Sequence, residues 1–284
     1  MNPFRQQLMS CGSRPPIGTW IMSASPLVAE ALGHAGFDWC VVDMEHSPLD
    51  MGDLVHLLQA IGNTKMVPLV RVPSNEPVMV KRVLDAGATT VLFPFVQNAA
   101  EAAAAVAATR YPPEGMRGMA GMSRASHYGM RPDYARHANR EVGVIVQLET
   151  AEALDALDEI AAVPGVDALF VGPGDLSASM GFVGQSLHPA VMERMGRAAR
   201  RAVELGKPIG TLGANARALV QYRAQGFCFV ALGSDLGLLM QGSQTALQAL
   251  RNPHDEGHVH TLADGTLTGS VSYTHLTLPT SDLV

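Results

Sequence analysis

The sequence predicts an α/β protein closed into a (β/α)8 barrel of the TIM type, and three observations carry that prediction. Short apolar runs of strand length alternate with amphipathic, Ala-rich segments of helix length, the alternation that marks a parallel sheet wrapped by helices. Eight such pairs follow one another, and a barrel of this kind takes about 250 residues. No linker divides them, so a chain of 284 residues, 47% hydrophobic and 16% charged, supplies one large core.

The strand candidates are runs of four to six mainly apolar residues. In order, Ile17–Met22 precedes a helical pattern at Pro26–Ala35, Phe37–Val42 one at Leu49–Ile61, Met66–Val70 one at Glu76–Ala86, and Thr90–Phe93 one at Ala99–Ala108. The second half repeats the order with Gly143–Leu148 and Ala151–Ala161, Asp167–Val171 and Pro189–Leu205, Pro208–Leu212 and Asn215–Gln225, and Phe227–Leu232 and Asp235–Leu250. Gly36, Gly62, Gly87, Gly206 and Gly226 fall where a helix ends on a left-handed residue. Neither Gly-x-Gly-x-x-Gly after the first strand nor a P-loop pattern occurs, which argues against a dinucleotide or nucleoside triphosphate as cofactor.

Twenty Lys and Arg against 26 Asp and Glu give a net charge of −6 without any basic run, so nucleic acid is not an expected partner. The first thirty residues lack a continuous apolar stretch, and nothing approaches the ~20 apolar residues of a membrane span; a cytoplasmic protein is expected. Cys11, Cys40 and Cys228 are odd in number and widely spaced, which suggests neither disulfides nor a thiolate metal site, and the last two read as small core residues. From Asn252 onward there is no Lys or Arg, but there are four acids and four of the ten histidines. Residues 1–251 are therefore read as one barrel domain and 252–284 as a disordered tail. The stretch 270–284 resembles translated adapter or vector sequence, and the tail is read as non-native. His254, His258 and His260 could chelate a metal or simply be solvated. Without the tail, 20 basic and 22 acidic residues leave the barrel at −2.

Barrel chemistry sits at the C-terminal ends of the strands. There the second strand runs into Asp43-Met44-Glu45-His46, the third into Arg71, the fifth into Gln147-Leu148-Glu149, and the sixth into Gly172-Pro173-Gly174-Asp175. Strands seven and eight end in small residues around Leu212-Gly213 and Gly233-Ser234. Glu149 and Asp175 offer two hard oxygen donors, suited to Mg²⁺ or Mn²⁺ that keeps several waters. The plain alternative is that each caps a helix, Asp175 the one at Leu176–Met180. Two such acids at one mouth would, however, leave an uncompensated charge pair unless a cation lay between them. His46 suits proton transfer, with Asp43 or Glu45 to orient its ring, or is a surface histidine before Pro48. Arg71 offers a planar fork for a carboxylate or enolate oxygen, or an ion pair with a mouth acid. Together these groups point to enolisation of a small 2-oxo acid. Lys65, Lys81 and Lys207 fall at a loop, a helix and a strand entrance, so no lysine is placed to form a Schiff base.

The segments Asp43-Met44-Glu45-His46-Ser47-Pro48, Pro68-Leu69-Val70-Arg71-Val72-Pro73, 110–118 (RYPPEGMRG), Val146-Gln147-Leu148-Glu149-Thr150 and Val171-Gly172-Pro173-Gly174-Asp175-Leu176-Ser177 resemble the HpcH/HpaI aldolase family, in order, over Ile17 to Leu250. The likeness is strongest to its 4-hydroxy-2-oxoheptanedioate aldolases, enzymes of aromatic compound catabolism, and its 2-keto-3-deoxy-sugar-acid aldolases.

The resemblance implies a phosphoenolpyruvate/pyruvate-binding barrel whose last helix is exchanged between subunits, in a homohexamer built as a trimer of dimers. It implies a divalent metal, Mg²⁺, Mn²⁺ or Co²⁺, on Glu149 and Asp175, with pyruvate chelated to it. Backbone near Gly174 and Asp175 would hold the pyruvate carboxylate, Arg71 the enolate oxygen, and His46 with Asp43 the proton of the aldol hydroxyl. Gln147, Trp20 and Leu212 match pocket positions. The implied reaction is reversible retro-aldol cleavage of a 4-hydroxy-2-oxo acid to pyruvate and an aldehyde such as succinic semialdehyde or a hydroxyaldehyde. The sequence departs from many relatives in carrying Gly174 rather than alanine, which frees the backbone there. The segment Met119–Met130, with Ser123, Arg124 and His127, reads as a contribution to the aldehyde side or as subunit packing. Three other readings stand beside the aldolase: oxaloacetate decarboxylation through the same enolate, a malyl- or citramalyl-CoA-type lyase lacking the expected basic rim, and a non-catalytic assembly subunit.

Overall fold

Eight parallel strands pair in chain order and close on themselves in the computed structural model of this chain, which describes residues 1–9 and 14–251 and the backbone of two short strands farther on. The strands are β1 (Ile17–Ile21), β2 (Trp39–Asp43), β3 (Val67–Arg71), β4 (Thr90–Phe93), β5 (Gly143–Leu148), β6 (Ala168–Val171), β7 (Ile209–Gly213) and β8 (Phe229–Ser234), and β8 pairs with β1. A short helix α1 (Pro3–Leu8) precedes them. Around the barrel run α2 (Pro26–Ala35), α3 (Met51–Ile61), α4 (Pro77–Asp85), α5 (Ala99–Thr109), α6 (Tyr134–Glu141), α7 (Ala151–Asp155), α8 (Leu157–Ala162), α9 (Pro173–Ser179), α10 (Pro189–Glu204) and α11 (Ala216–Ala224), and α12 (Asp235–Arg251) follows β8 in the chain. Met1–Leu238 forms one compact unit and Leu239–Val284 a second. Within the second, β9 (His260–Thr261) and β10 (Leu267–Thr268) pair antiparallel. Beyond that backbone, the expectations for Cys11, the tail and its histidines lie outside the described residues. Among the described residues no helix is long and apolar enough to cross a membrane.

The side-chain period of two sorts the strands into two cores. Trp39 and Val41 of β2, Leu69 of β3, Leu92 of β4, Ile145 of β5, Phe170 of β6 and Phe229 of β8 fill the barrel interior. The alternate residues Cys40, Val42, Val70, Val91, Val144, Val146, Leu148 and Val171 pack outward against the helices. Asp43, Arg71, Gln147 and Glu149 continue the inward register, so their side chains stand at the top of the barrel. Burial pushes the Cys40 thiol far up, as for an inert core residue.

The apolar runs begin one or two residues before several ladders, and the ladders extend onto Asp43, Arg71, Gly213 and Ser234. Pairing thus reaches polar residues that hydropathy assigns to loops. The single helix expected over Ala151–Ala161 is broken at Ala156 into α7 and α8. Gly36 and Gly226 are left-handed as expected, but Gly62 has φ −61 and ends α3 in a right-handed turn.

Two elements were not legible as helices. Helix α1 closes the bottom of the barrel. Phe4 sits edge-on to Trp39 and Phe229 at centroid distances of 5.7 and 5.4 Å, and Asn2 Nδ2 donates to Thr89 O, Thr90 Oγ1 and Glu141 O. Arg5 pairs with Asp167 at 2.8 Å. Helix α6 belongs to an excursion between α5 and β5, pinned by the buried Arg117, which stacks on Tyr111 at 4.5 Å, bonds Tyr134 Oη and pairs with Asp85 at 2.9 Å. The Arg117-Gly118 motif is therefore structural within one chain.

Candidate active site

Asp43 ends β2 with its side chain fully buried. Its Oδ1 accepts from Arg71 Nε at 2.9 Å and from the backbone N–H groups of Glu45 and His46, while Oδ2 accepts from Arg71 Nη2 at 2.7 Å. This bidentate pair locks Arg71 at the end of β3. A second carboxylate, Glu45, lies 2.9 Å from Arg71 Nη1. The guanidinium thus sits between two acids, 5.7 Å from the Trp20 ring centroid. Burial opposes its charge, but the bonds and charges of Asp43 and Glu45 prevail and raise its pKa.

His46 does not meet Asp43 through its ring. The imidazole is mostly exposed, and its Nε2 lies 3.9 Å from Glu45 Oε2, whereas both Asp43 oxygens are taken by Arg71 and the loop. In this structure Asp43 serves Arg71 and the loop backbone, and the His46 ring, for which the resemblance implies Asp43 as partner, lies near Glu45. Burial raises the Glu45 carboxyl, opposed by Arg71.

Glu149 follows β5 and is 2% exposed. Its Oε1 accepts from Gln147 Nε2 at 2.7 Å, and its Oε2 from the Phe95 N–H at 3.0 Å. It caps no helix. Thr150 is the N-cap of α7, with its side chain accepting from Ala153 N. Nor does Asp175 cap α9, whose N-cap Gly172 is followed by Pro173 without any side-chain cap bond; Asp175 lies exposed in the first turn. The capping alternative is thus excluded for Glu149, while Asp175 keeps the first-turn position in which an acid favours a helix N-terminus without a cap bond. Burial pushes the Glu149 carboxyl up to about 7, partly relieved by the Phe95 N–H and reinforced by the charge of Asp175.

This donor set fits a hard divalent cation. Glu149 is buried, and both that burial and the charge of Asp175 disfavour its anion. One buried acceptor at the mouth, Gln147 Oε1, has no hydrogen-bond donor among the described residues, whereas Glu45 Oε2 is served by the Arg71 ion pair. A Cβ at Gly172 would fall 3.0 Å from Glu149 Cγ and closer still to Oε1, so glycine there leaves the carboxylate its place. Among the described residues no group of three or more Asp, Glu, His or Cys side chains is placed to hold a metal ion on its own. A two-carboxylate site completed by water or substrate oxygens is the arrangement Mg²⁺ favours.

Trp20 is buried at the end of β1, and Leu212 of β7 packs against the interior core. Gly174 is exposed, with its carbonyl accepting from Ser177 Oγ. Phe95 and Gln97, in the loop after β4, were not singled out from sequence. Phe95 has φ +54, which hydropathy does not reveal. The segment Met119–Met130 is displaced from the expected aldehyde side of this mouth: Arg124 Nη1 bonds Ala86 O, and Gly87–Thr89 and Val142, at the entrances of β4 and β5, share a cavity with Arg124 and His127. The segment connects α5 to β5 and so stands at the opposite end of its own barrel.

The description "HpcH/HpaI aldolase/citrate lyase" fits residues 16–242. The chain belongs to the HpcH/HpaI aldolase family. It is 51% identical over 236 residues to the 2-dehydro-3,6-dideoxy-6-sulfogluconate aldolase of Pseudomonas putida, covering 83% of this chain and 92% of that relative. It is 47% identical over 242 residues to the 5-keto-4-deoxy-D-glucarate aldolase of Salmonella arizonae, covering 85% and 94%. A crystal structure of a family member from Burkholderia cenocepacia J2315 superposes with a TM-score of 0.85 at 44% identity, over 88% of this chain and all of that one. As an HpcH/HpaI aldolase the protein is a carbon–carbon lyase.

Proposed function

We propose that the protein reversibly cleaves a 4-hydroxy-2-oxo acid of the keto-deoxy sugar-acid class to pyruvate and an aldehyde, with Mg²⁺, Mn²⁺ or Co²⁺ as cofactor. The observation that carries this reading is the meeting, at one mouth, of the buried Glu149 coupled to Asp175 with an arginine locked by Asp43 and Glu45. The sugar-acid names of the two relatives support the substrate class.

Glu149 and Asp175 would hold the metal, which when bound supplies Lewis acidity toward the carboxylate and 2-oxo oxygens of the substrate. Backbone at Gly174 and Asp175 orients the carboxylate, while Trp20 and Leu212 close the apolar side and exclude water. In the cleavage direction His46 takes the proton of the C4 hydroxyl, and Glu45, beside it, steadies the positive charge that the imidazole gains. As the C3–C4 bond breaks, its electron pair moves toward the C2 oxygen. Arg71 faces the charge that grows there with its donors already fixed, so little reorganisation accompanies the step. One proton is then gained at C3, balancing the one that His46 took from the hydroxyl and gives up again, directly or through solvent, and pyruvate results.

The exposed Met116, Met119, Met122 and Met130 of the excursion support packing between copies, and the homohexamer is the assembly proposed, measurable by light scattering. The reaction is tested by incubating pyruvate with succinic semialdehyde, lactaldehyde, glyceraldehyde and glycolaldehyde under each metal. Metal-dependent 4-hydroxy-2-oxo acid formation is expected. Undiminished turnover after exhaustive chelation, or turnover of CoA thioesters alone, contradicts the proposal.

A further inference from the structure

We propose that Phe95 is a specificity-determining residue for the aldehyde half of the reaction: its backbone serves Glu149, and its ring forms the apolar face on which the aldehyde's carbon chain packs. The inference rests on the aldolase reading above and deepens it. Phe95 lies two residues beyond β4 with φ +54. A bulky residue adopts this left-handed conformation only at a cost that glycine would not bear.

The surrounding bonds over-determine the turn. Phe95 N–H donates to Glu149 Oε2 at 3.0 Å, Val96 N–H to Gln147 O at 3.1 Å, and Gln97 Nε2 to Phe95 O at 3.3 Å. Thr150 Oγ1 donates to Gln97 Oε1 at 2.6 Å, and Gln97 N–H to Glu101 Oε2 at 2.8 Å. The loop is thereby stitched to the Gln147–Thr150 end of β5, and the strained backbone is held at a functional site rather than in a free turn.

Every one of these bonds uses backbone atoms of Phe95 or groups of its neighbours, so a glycine would make them all with less strain. The ring must be accounted for separately, and it is not buried in the core, since the residue is 54% exposed. Its N–H meets the Glu149 carboxylate, so the exposed ring is anchored within a side chain's length of the pyruvate side and is assigned to the part of the substrate beyond C4. Apart from Trp20 and Leu212 on the pyruvate side, the groups assigned to this mouth, Glu45, His46 and Asp175 among them, are polar. An aromatic face there suits the C–H surface of a hydroxyaldehyde or semialdehyde of three or more carbons, which a two-carbon aldehyde is too short to cover.

The test compares the wild type with Phe95→Gly and Phe95→Leu. Addition of pyruvate to D-glyceraldehyde and to glycolaldehyde is measured, together with exchange of the pyruvate methyl protons in D₂O without aldehyde, followed by NMR. In Phe95→Gly, kcat/KM for glyceraldehyde should fall about tenfold more than that for glycolaldehyde or than the exchange rate, chiefly through the aldehyde KM, at an unchanged or higher Tm. Phe95→Leu, which keeps an apolar side chain, should restore part of the preference, and it reads the same ratio if the glycine variant folds poorly. Equal losses in all three rates, or no change in aldehyde preference, would overturn the inference while leaving the aldolase reading intact. Absence of exchange in the wild type with metal would overturn both.

Discussion

Gly172→Ala isolates the placement of Glu149 from its chemistry. Gly172 has φ −86 and ψ 102, which alanine adopts freely, so the backbone offers no reason for glycine. The added Cβ would stand 3.0 Å from Glu149 Cγ and 3.1 Å from Cδ, closer still to Oε1, where ordinary contacts begin at 3.4 Å. The carboxylate must therefore withdraw by about 0.5–1 Å, and misplacement on the order of 1 Å costs up to about a hundredfold in rate. Withdrawal also breaks the bond from Gln147 Nε2 to Oε1, 2.7 Å long, a loss of about 1 kcal/mol, or about fivefold. We expect kcat/KM to fall by about ten- to a hundredfold, with Mn²⁺ affinity reduced in parallel by calorimetry. Overpacking should lower stability by about 1–3 kcal/mol without loss of the fold by circular dichroism. Wild-type turnover and metal affinity in this variant would refute the claim that the Glu149 carboxylate is held where the chemistry occurs.

Asp43→Asn should destabilise the protein by about 3 kcal/mol, since Arg71 loses a buried charged partner and keeps only Glu45; the thermal midpoint should fall by about 6–12 °C, with a loss of kcat/KM. Phe4→Ala empties the bottom of the barrel and should cost about 3–5 kcal/mol in urea unfolding, while folded protein at low temperature keeps its kcat, because the mouth is at the other end. Burial raises the Tyr222 hydroxyl above its ordinary 10.0. The neutral form is thus favoured by the fold, its contribution is intact below pH 10, and it is lost as pH rises through the folded value. Tyr222→Phe should therefore match the wild type at pH 7 and unfold less readily than it above pH 10, as denaturant midpoints at the two pH values would reveal.

The fold was legible because hydropathy and barrel closure share a period: apolar runs of four to six residues are strands here, and inward alternation carries Asp43, Arg71, Gln147 and Glu149 to the same end. What escaped was written in geometry rather than composition. Helix α1 has only six residues, and it is fixed by contacts of Asn2, Phe4 and Arg5 with residues 89, 39, 229 and 167 that no local pattern announces. Sequence leaves Asp43 or Glu45 open as the partner of the His46 ring and the resemblance implies Asp43, but the parallel register sets Asp43 opposite Arg71, and a buried guanidinium outcompetes an exposed imidazole for a carboxylate. Glu149 and Asp175 were ambiguous with helix caps until Thr150 and Gly172 occupied the cap positions. Phe95 gave no signal at all, since a left-handed φ in an apolar run is invisible to hydropathy.

The central claim is that Glu149 and Asp175 hold a metal that permits pyruvate enolisation at this mouth. Exchange of the pyruvate methyl protons for deuterium, followed by NMR in wild type and in Glu149→Gln, tests it without any aldehyde. The account predicts exchange with Mg²⁺ or Mn²⁺, its loss on chelation, its return on adding metal, and none in Glu149→Gln protein of wild-type fold. Sustained exchange in chelated protein, or in Glu149→Gln, would contradict it.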